Sequence, residues 1–260
     1  MMKKSFFNRQ ETAVTALLTA SSIPEFAARI RAAAADGADG IALEINNLPP
    51  EERTTDNFRL LMGEVPLPFM FICYRNCQWF GNDDEARQEF LLRAAEAGAE
   101  VIDVMGDLYA PSDDELTMEP AAVARQKKLI AQIHERGSKV LISSHMPGLP
   151  PKSAGEIINY LEIQSDRGAD ICKIVTNCNT EEGFLEAIRA DLILGRSFAK
   201  PFIHISGGKY NKLHRFLGTK LGLAITFGVA DYAHGPYSQP LISSCKKVRD
   251  LIPWDISFTE

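Results

Sequence analysis

Two side chains with the chemistry for a shared reaction, a lysine and a histidine, lie on consecutive apolar segments of this sequence. Lys173 lies within ADICKIV, and His145 closes VLISSH. An unpaired ammonium buried in an apolar strand is costly, which favours a neutral amine that can attack a carbonyl. The protonated imine then acidifies the neighbouring carbon, and a histidine can remove its proton near neutral pH. The pair therefore predicts Schiff-base catalysis by Lys173 with His145 as the proton carrier.

Both residues also have a structural interpretation. The amine of Lys173 could reach solvent or an acidic partner, and a histidine at a strand end is often only a hydrogen-bonded structural residue. The catalytic interpretation is preferred because inward positions of barrel strands usually hold apolar residues, which makes a lysine there unusual. It is also preferred because the two segments are consecutive, which predicts adjacent strands.

The elements that must position these residues form an alternating pattern. Short apolar runs, typical of strands, alternate with segments of helical period that follow starts such as Ser22, Asp83 and Ser153. Three helical segments end in the related phrases ADGADG, EAGAEV and DRGADI, in which a glycine leads into the next strand. The chain is therefore predicted to be α/β, a single (β/α)8 TIM barrel over residues 1–260. A doubly wound open sheet is the alternative, but no GxGxxG follows the first strand. The eight runs begin at Ala13, Gly40, Leu67, Glu100, Lys139, Asp170, Pro201 and Gly222.

In such a barrel, functional residues lie at the C-terminal ends of strands and in the loops that follow them. Lys173 and His145 fit this rule, and so do further polar residues after other strands. The additional candidates are Glu44, Asn46, Arg75, Arg215 and the HGPYSQ loop that contains His234 and Gln239.

The segments SSH and ADICKI, about one helix apart, resemble the catalytic segments of type I 3-dehydroquinate dehydratases. HRFLGTKLGLAITFG resembles the family segment in which an arginine precedes a helix and a strand ending in TFG. The resemblance implies dehydration of 3-dehydroquinate to 3-dehydroshikimate, without a metal or dissociable cofactor. It also implies that Lys173 forms the imine and that His145 moves protons during imine formation and elimination of water. Arg215 and Gln239 would bind the substrate.

Glu44 and Arg75 match further substrate-binding residues of that family, but three nearby positions depart from its pattern. Asn46 stands where an arginine is usual, and Trp79 stands where a glutamate helps to position the catalytic histidine. His234 stands where a serine precedes the closing glutamine. Together these changes predict altered substrate recognition, with Asn46 and His234 as additional candidate contacts.

Composition excludes several classes of protein. The net charge of -6 argues against a general nucleic-acid binder, and the absence of a long apolar run argues against a membrane span. We expect a cytoplasmic protein with a small carboxylate substrate, and a homodimer.

The five cysteines lack metal-binding spacing and are expected to be reduced and buried. The acidic run 113–115 is expected to be a solvated loop. ISGGKYNK is expected to be a tight turn for close packing, with a phosphate loop as the weaker alternative.

Two other functions are compatible with the same residues. A different Schiff-base lyase or a class I aldolase would use the same lysine on another small carboxylate. A non-catalytic sensor would keep the pocket but not the reaction, and the presence of both Lys173 and His145 argues against it.

Overall fold

The computed structural model describes residues 4–8, 10–75, 83–236 and 238–257. Eight strands alternate with helices along the described chain, as the sequence pattern predicts. Each apolar run forms a strand within one or two residues of its expected start, except the last, in which the strand begins three residues later. The strands are β1 (Ala13–Thr19), β2 (Gly40–Glu44), β3 (Phe69–Ile72), β4 (Val101–Met105), β5 (Lys139–His145), β6 (Ile171–Asn177), β7 (Phe202–Gly207) and β8 (Ile225–Gly228).

The strands form one parallel sheet in which each strand lies beside its neighbours in sequence. β1 pairs with both β2 and β8, so the sheet curls round to bring its first and last strands together. The bases of β7 and β8 are joined by a hydrogen bond from the Ala224 N–H to the Phe202 carbonyl, 2.9 Å long. The predicted barrel is confirmed, and the open-sheet alternative is excluded.

The three helix starts predicted from capping residues are confirmed. Ser22, Asp83 and Ser153 each accept a hydrogen bond from a backbone N–H in the first turn, as expected. Each glycine predicted to end a helix has a positive φ, which suits a left-handed turn into the next strand. The helices are α1 (Ile23–Ala35), α2 (Thr55–Gly63), α3 (Asp84–Ala97), α4 (Pro120–Glu135), α5 (Ala154–Arg167), α6 (Glu181–Ser197), α7 (Asn211–Gly218) and α8 (Ile242–Leu251), with 3-10 turns at Ile45–Asn47 and Pro50–Glu52.

The hydrophobic core lies between the strands and the helices and continues into the barrel interior. It contains buried residues of all eight strands, which explains why the strands read as apolar runs without alternation. Four cysteines, Cys73, Cys172, Cys178 and Cys245, are buried free thiols, whereas Cys77 lies outside the described residues. Within the described part of the chain, no helix combines the length and the apolar character needed to cross a membrane.

Candidate active site

Lys173 lies in the middle of β6 with its side chain inside the barrel. The residue is only 3% exposed, and it pairs in register with Ser143 on β5 and Ile203 on β7. Its Nζ donates a hydrogen bond to the Tyr74 hydroxyl at 2.6 Å and lies 3.4 Å from Asp103 Oδ2. The lysine is therefore buried, as expected, but its amine has a polar partner and an acidic partner.

Tyr74 and Asp103 complete this buried group and were not named by the sequence analysis. The Tyr74 hydroxyl donates to Asp103 Oδ2 at 2.8 Å, and the Ser143 hydroxyl donates to Asp103 Oδ1 at 2.6 Å. Burial, together with the adjacent Asp103 carboxylate, raises the pKa of Tyr74 well above its usual value, so the phenol stays protonated at neutral pH. The sequence did contain one signal: Asp103 interrupts the apolar strand EVIDVM, where a carboxylate needs a partner.

His145 ends β5, one strand from Lys173, and its ring is held by Glu115. The Nδ1 atom lies 2.6 Å from Glu115 Oε2, and the same oxygen accepts the backbone N–H of His145 at 3.0 Å. The Tyr74 ring contacts the imidazole edge-on, with 4.7 Å between ring centroids. Tyr74 thus lies against both Lys173 and His145, and it brings the amine and the imidazole into one site.

The interpretation of residues 113–115 as a solvated loop is wrong for two of the three acids. Asp113 is exposed, but Asp114 accepts hydrogen bonds from the hydroxyls of Ser112 and Tyr160. Glu115 turns inward to His145 from a left-handed backbone conformation, with φ of 49°. Such a conformation costs a non-glycine residue about 1 kcal/mol or more and persists where the surroundings hold it. An acidic run gives no sign of which member turns inward, so the sequence alone could not single out Glu115.

Glu44 and Asn46 lie at the end of β2, beside the same group. The Asn46 amide donates to Glu44 Oε1 at 3.1 Å, while its Oδ1 accepts the Tyr74 backbone N–H at 2.9 Å. The carboxylate of Glu44 also contributes to the raised pKa of Tyr74, after burial and Asp103. Asn46 is buried, so in this structure it fixes the end of β3 in place.

Arg75 is paired with two carboxylates. Its Nη1 lies 2.6 Å from Asp107 Oδ1 and its Nη2 lies 3.0 Å from Asp84 Oδ2. Asp107 also accepts the backbone N–H of Ser112 at 2.9 Å. Arg75 therefore ties the end of β3 to the loop that carries Glu115, and its contact with substrate stays a prediction.

Arg215 and Gln239, the two residues expected to bind the substrate, contact each other. Arg215 Nη1 donates to Gln239 Oε1 at 2.8 Å, and its Nη2 lies 3.4 Å from the carbonyl of Ser206 at the end of β7. The guanidinium is 5% exposed, and no carboxylate of the described residues forms an ion pair with it. Burial lowers the pKa of Arg215 to about 10. A buried cation without an anionic partner favours an anionic ligand at this point.

His234 does not join this group in the described structure. His234 has 59% of its side chain exposed and contacts Asp231 of its own loop. Its backbone carbonyl accepts a hydrogen bond from Arg29 on α1, so the loop rests against the outer ring of helices. Trp79 lies outside the described residues.

The ISGGKYNK segment forms the tight turn that was expected. Gly208 has φ of 92°, and a Cβ there would lie 2.5 Å from the Asn179 side chain. A Cβ on Gly207 would lie 2.8 Å from Pro147, which follows His145 in the neighbouring loop. The two glycines therefore allow the loops after β5, β6 and β7 to pack closely at the mouth of the barrel.

A second cluster of titratable groups, Asp191, His204 and His214, is fully buried outside the barrel mouth. Their ligand atoms lie within 4.8 Å of one another, so among the described residues they are the group with the spacing needed to hold a metal ion. However, Asp191 contacts His204 at 2.6 Å and His214 at 3.0 Å, and hydroxyls of Thr176 and Ser206 contact the other two ring nitrogens. Every ring nitrogen has a partner, so the cluster is complete as a structural hydrogen-bond network.

Comparison with known proteins agrees with the geometry. Residues 14–253 match the model of the family described as Type I 3-dehydroquinase. A 3-dehydroquinate dehydratase from Klebsiella pneumoniae is 25% identical over 260 residues, which cover 96% of this chain and 97% of that protein. The type I 3-dehydroquinate dehydratase from Clostridium difficile superposes with a TM-score of 0.77 at 18% identity, covering 94% of this chain and 93% of that one. The 3-dehydroquinate dehydratase from Enterococcus faecalis superposes with a TM-score of 0.75 at 17% identity, covering 94% and 95%. This chain belongs to the type I 3-dehydroquinase family.

Proposed function

We propose that this protein is a carbon–oxygen lyase that dehydrates 3-dehydroquinate to 3-dehydroshikimate through a Schiff base on Lys173. The observation that carries the proposal is that the buried amine of Lys173 and the Glu115-held imidazole of His145 both contact Tyr74. An imine-forming nucleophile beside an oriented base is the arrangement needed for elimination next to a carbonyl. Family membership supports the same reaction.

The lysine supplies the electron sink in this mechanism. Its neutral amine adds to the substrate ketone, water leaves, and a protonated imine remains on Nζ. The positive nitrogen draws electrons from the neighbouring carbon and makes its C–H bond acidic. Asp103, 3.4 Å from Nζ, provides the negative charge that stabilises this cation within the barrel.

His145 carries out the proton transfers of the elimination step. The imidazole removes the proton next to the imine carbon, and the electron pair forms an enamine. The enamine then expels the hydroxyl one carbon further on, which leaves as water after taking a proton from the imidazolium. Glu115 contacts Nδ1, so it orients Nε2 toward the substrate and stabilises the imidazolium between the two proton transfers. Hydrolysis of the imine releases the conjugated enone and regenerates the lysine.

Arg215 and Gln239 are proposed to bind the substrate carboxylate. Arg215 contacts the carbonyl of Ser206, and Ser206 pairs with Thr176, three residues beyond Lys173 on β6. At a rise of about 3.3 Å per residue, this places the guanidinium about 10 Å toward the barrel mouth from the lysine level. A ring substrate anchored there by its carboxylate can direct its ketone downward to Nζ. Glu44 lies beside Tyr74 and is proposed to accept a hydrogen bond from a substrate hydroxyl.

The test combines product formation with chemical trapping. Purified protein is mixed with 3-dehydroquinate, enone absorbance is followed, and a borohydride-treated sample is analysed by mass spectrometry for an adduct on Lys173. Enone growth together with the adduct is the expected result, and Lys173→Ala should lose both. Lys127→Ala removes an exposed lysine from α4 and should retain both. Enone formation without any lysine adduct, or an undiminished adduct in Lys173→Ala, would contradict the mechanism.

A second candidate is an imine-forming lyase or aldolase for a different small carboxylate. It is favoured by one observation: Asn46 carries no charge where the family pattern has an arginine, and the charge of Arg75 is already balanced by Asp84 and Asp107. The same experiment separates the two candidates. A Lys173 adduct without enone growth would support the second.

We also propose that the protein is a cytoplasmic homodimer. Three apolar side chains, Leu185 and Ile193 on α6 and Leu213 on α7, are at least 43% exposed and are candidates for the contact between subunits. Light scattering coupled to size-exclusion chromatography should give twice the mass of the chain. A monomeric mass at micromolar concentration would refute this part of the proposal.

A further inference from the structure

Tyr74 occupies a position that the lysine and histidine chemistry does not by itself require. Its hydroxyl is the hydrogen-bond partner nearest to the reacting nitrogen, 2.6 Å from Nζ of Lys173. The same hydroxyl donates to Asp103 at 2.8 Å, so the three groups form a continuous chain from amine to carboxylate. The far oxygen of Asp103 accepts the Ser143 hydroxyl, which fixes the carboxylate. Solvent does not reach the carboxylate end of this hydrogen-bond chain, because Asp103 and Ser143 are fully buried.

We infer that Tyr74 is the acid–base catalyst of imine formation, relaying protons between the Lys173 nitrogen, the Asp103 carboxylate and the substrate oxygen. This inference rests on the proposed function for its ketone substrate. The inference assigns acid–base catalysis to two separate pairs of residues. The Tyr74–Asp103 pair catalyses formation of the carbon–nitrogen bond, and the His145–Glu115 pair catalyses cleavage of the carbon–hydrogen bond.

The proton transfers of this step balance without any additional reagent. The Lys173 ammonium passes a proton to the phenol oxygen while the phenol passes its own proton to Asp103, which leaves a neutral amine and a protonated carboxyl. The amine forms the C–N bond, and the carbonyl electron pair moves to oxygen. Tyr74 then relays a proton from the new N–H2⁺ to this oxygen, giving a carbinolamine. The proton held on Asp103 returns through Tyr74 to the hydroxyl, the C–O bond breaks, and water leaves from the protonated imine.

The geometry suits both transfers. A carbinolamine oxygen is bonded to the carbon that carries nitrogen, so a hydroxyl that contacts the nitrogen from the side of that oxygen can reach both atoms. The imidazole of His145 contacts Tyr74 through the ring rather than through the hydroxyl, so it is oriented for a different atom of the substrate. The phenol remains protonated between transfers, because burial and the carboxylate oppose a phenolate.

The first test measures imine formation directly. Wild-type protein and Tyr74→Phe are mixed with 3-dehydroquinate and quenched with borohydride at short times, and the Lys173 adduct is quantified by mass spectrometry. Removing the hydroxyl while keeping the ring should slow adduct formation roughly 10²-fold, the usual size of one acid–base group. Asp103→Asn should slow it similarly, and the double variant should be little slower than either single one, since both changes interrupt one relay. Tyr109→Phe, which removes a phenol hydroxyl bonded to Gln88, is the matched control and should behave as wild type.

The second test does not depend on the identity of the substrate. Formaldehyde with excess cyanoborohydride methylates a lysine at the rate at which its imine forms, and peptide mapping compares Lys173 with the exposed Lys127 in the same sample. Tyr74→Phe should slow methylation of Lys173 alone. If Asp103 acted only by holding Lys173 as an unreactive ammonium through its charge, Asp103→Asn would instead make methylation of Lys173 faster.

The two experiments distinguish failure of the inference from failure of the proposed function. Wild-type protein that gives neither adduct nor enone with 3-dehydroquinate, but shows Tyr74-dependent methylation of Lys173, would refute the function and retain the relay. Normal turnover and normal rates of both imine reactions in a folded Tyr74→Phe would retain the function and overturn the relay. If Tyr74→Phe fails to fold, Asp103→Asn gives the same two outcomes.

Discussion

Replacing Glu115 by glutamine should weaken catalysis without preventing the lysine from forming its imine. The substitution keeps the size of the side chain and an oxygen for the His145 backbone N–H, but it removes the charge facing Nδ1 at 2.6 Å. A charge-assisted hydrogen bond contributes about 1.5–3 kcal/mol, roughly twice a neutral one. Both side chains are partly exposed, 30% for Glu115 and 21% for His145, so water screens part of the effect.

The loss in transition-state stabilisation is therefore about 1–2 kcal/mol, which corresponds to a fall in kcat of about 5- to 30-fold. The assay is enone formation under saturating substrate, with borohydride trapping in parallel. Glu162→Gln, which changes an exposed glutamate on α5, is the control and should keep full activity. A folded Glu115→Gln protein with kcat within about twofold of wild type would refute the reasoning.

Backbone conformation offers a separate check on Glu115. Glu115→Gly removes the carboxylate but relieves the cost of φ at 49°, about 1 kcal/mol. Its melting temperature should stay within about 4 °C of wild type, since this relief offsets much of the lost hydrogen bond. Its activity should fall at least as far as that of Glu115→Gln. A large loss of stability would mean that Glu115 mainly supports the fold.

Four other perturbations have expected outcomes. His145→Ala should slow enone formation by roughly 10² to 10⁴ while the imine is still trapped, and unchanged turnover would remove His145 from the mechanism. Quinate, which has the carboxylate but no ketone, should raise the melting temperature of wild type by several degrees at about 100 times its Kd, and Arg215→Gln should lose this shift. Asp191→Asn should destabilise the fold by about 3–5 kcal/mol in denaturant titrations. Burial would raise the pKa of Asp191, but the two histidines outweigh burial and lower it. The difference in stability between wild type and Asp191→Asn should therefore be full at pH 7 and shrink as pH falls below about 4. A difference that stays constant with pH would contradict the pairing of Asp191 with the histidines. Asn46→Arg should reduce stability, because Asn46 is buried and accepts the Tyr74 N–H, and an unchanged melting temperature would show that an arginine fits.

Local sequence was sufficient for the fold and for the two central residues of the candidate site. Parallel strands buried on both faces must be apolar, and the helices between them must carry caps and a one-sided apolar period, so eight repeats of this unit specify a barrel. A lysine inside one such strand and a histidine at the end of the strand before it can be recognised in the sequence, because each is a polar residue in an otherwise apolar segment. The strand register then places them one strand apart, as expected.

The partners of these residues were decided by tertiary structure. The sequence separates Lys173 from Tyr74, Asp103 and Glu115 by 58 to 99 positions, and the packing of β3 to β6 and their loops brings these residues into one site. The carboxylate facing His145 is that of Glu115, in the loop after β4, whereas the family resemblance implied a carboxylate at the position of Trp79. Arg75 gives another example: its position in sequence predicts a substrate contact, but the sequence does not show that Asp84 and Asp107, from two other segments, form ion pairs with it. Sequence spacing determines which end of the barrel a side chain occupies, whereas the charge it meets there depends on loops whose conformations no local pattern specifies.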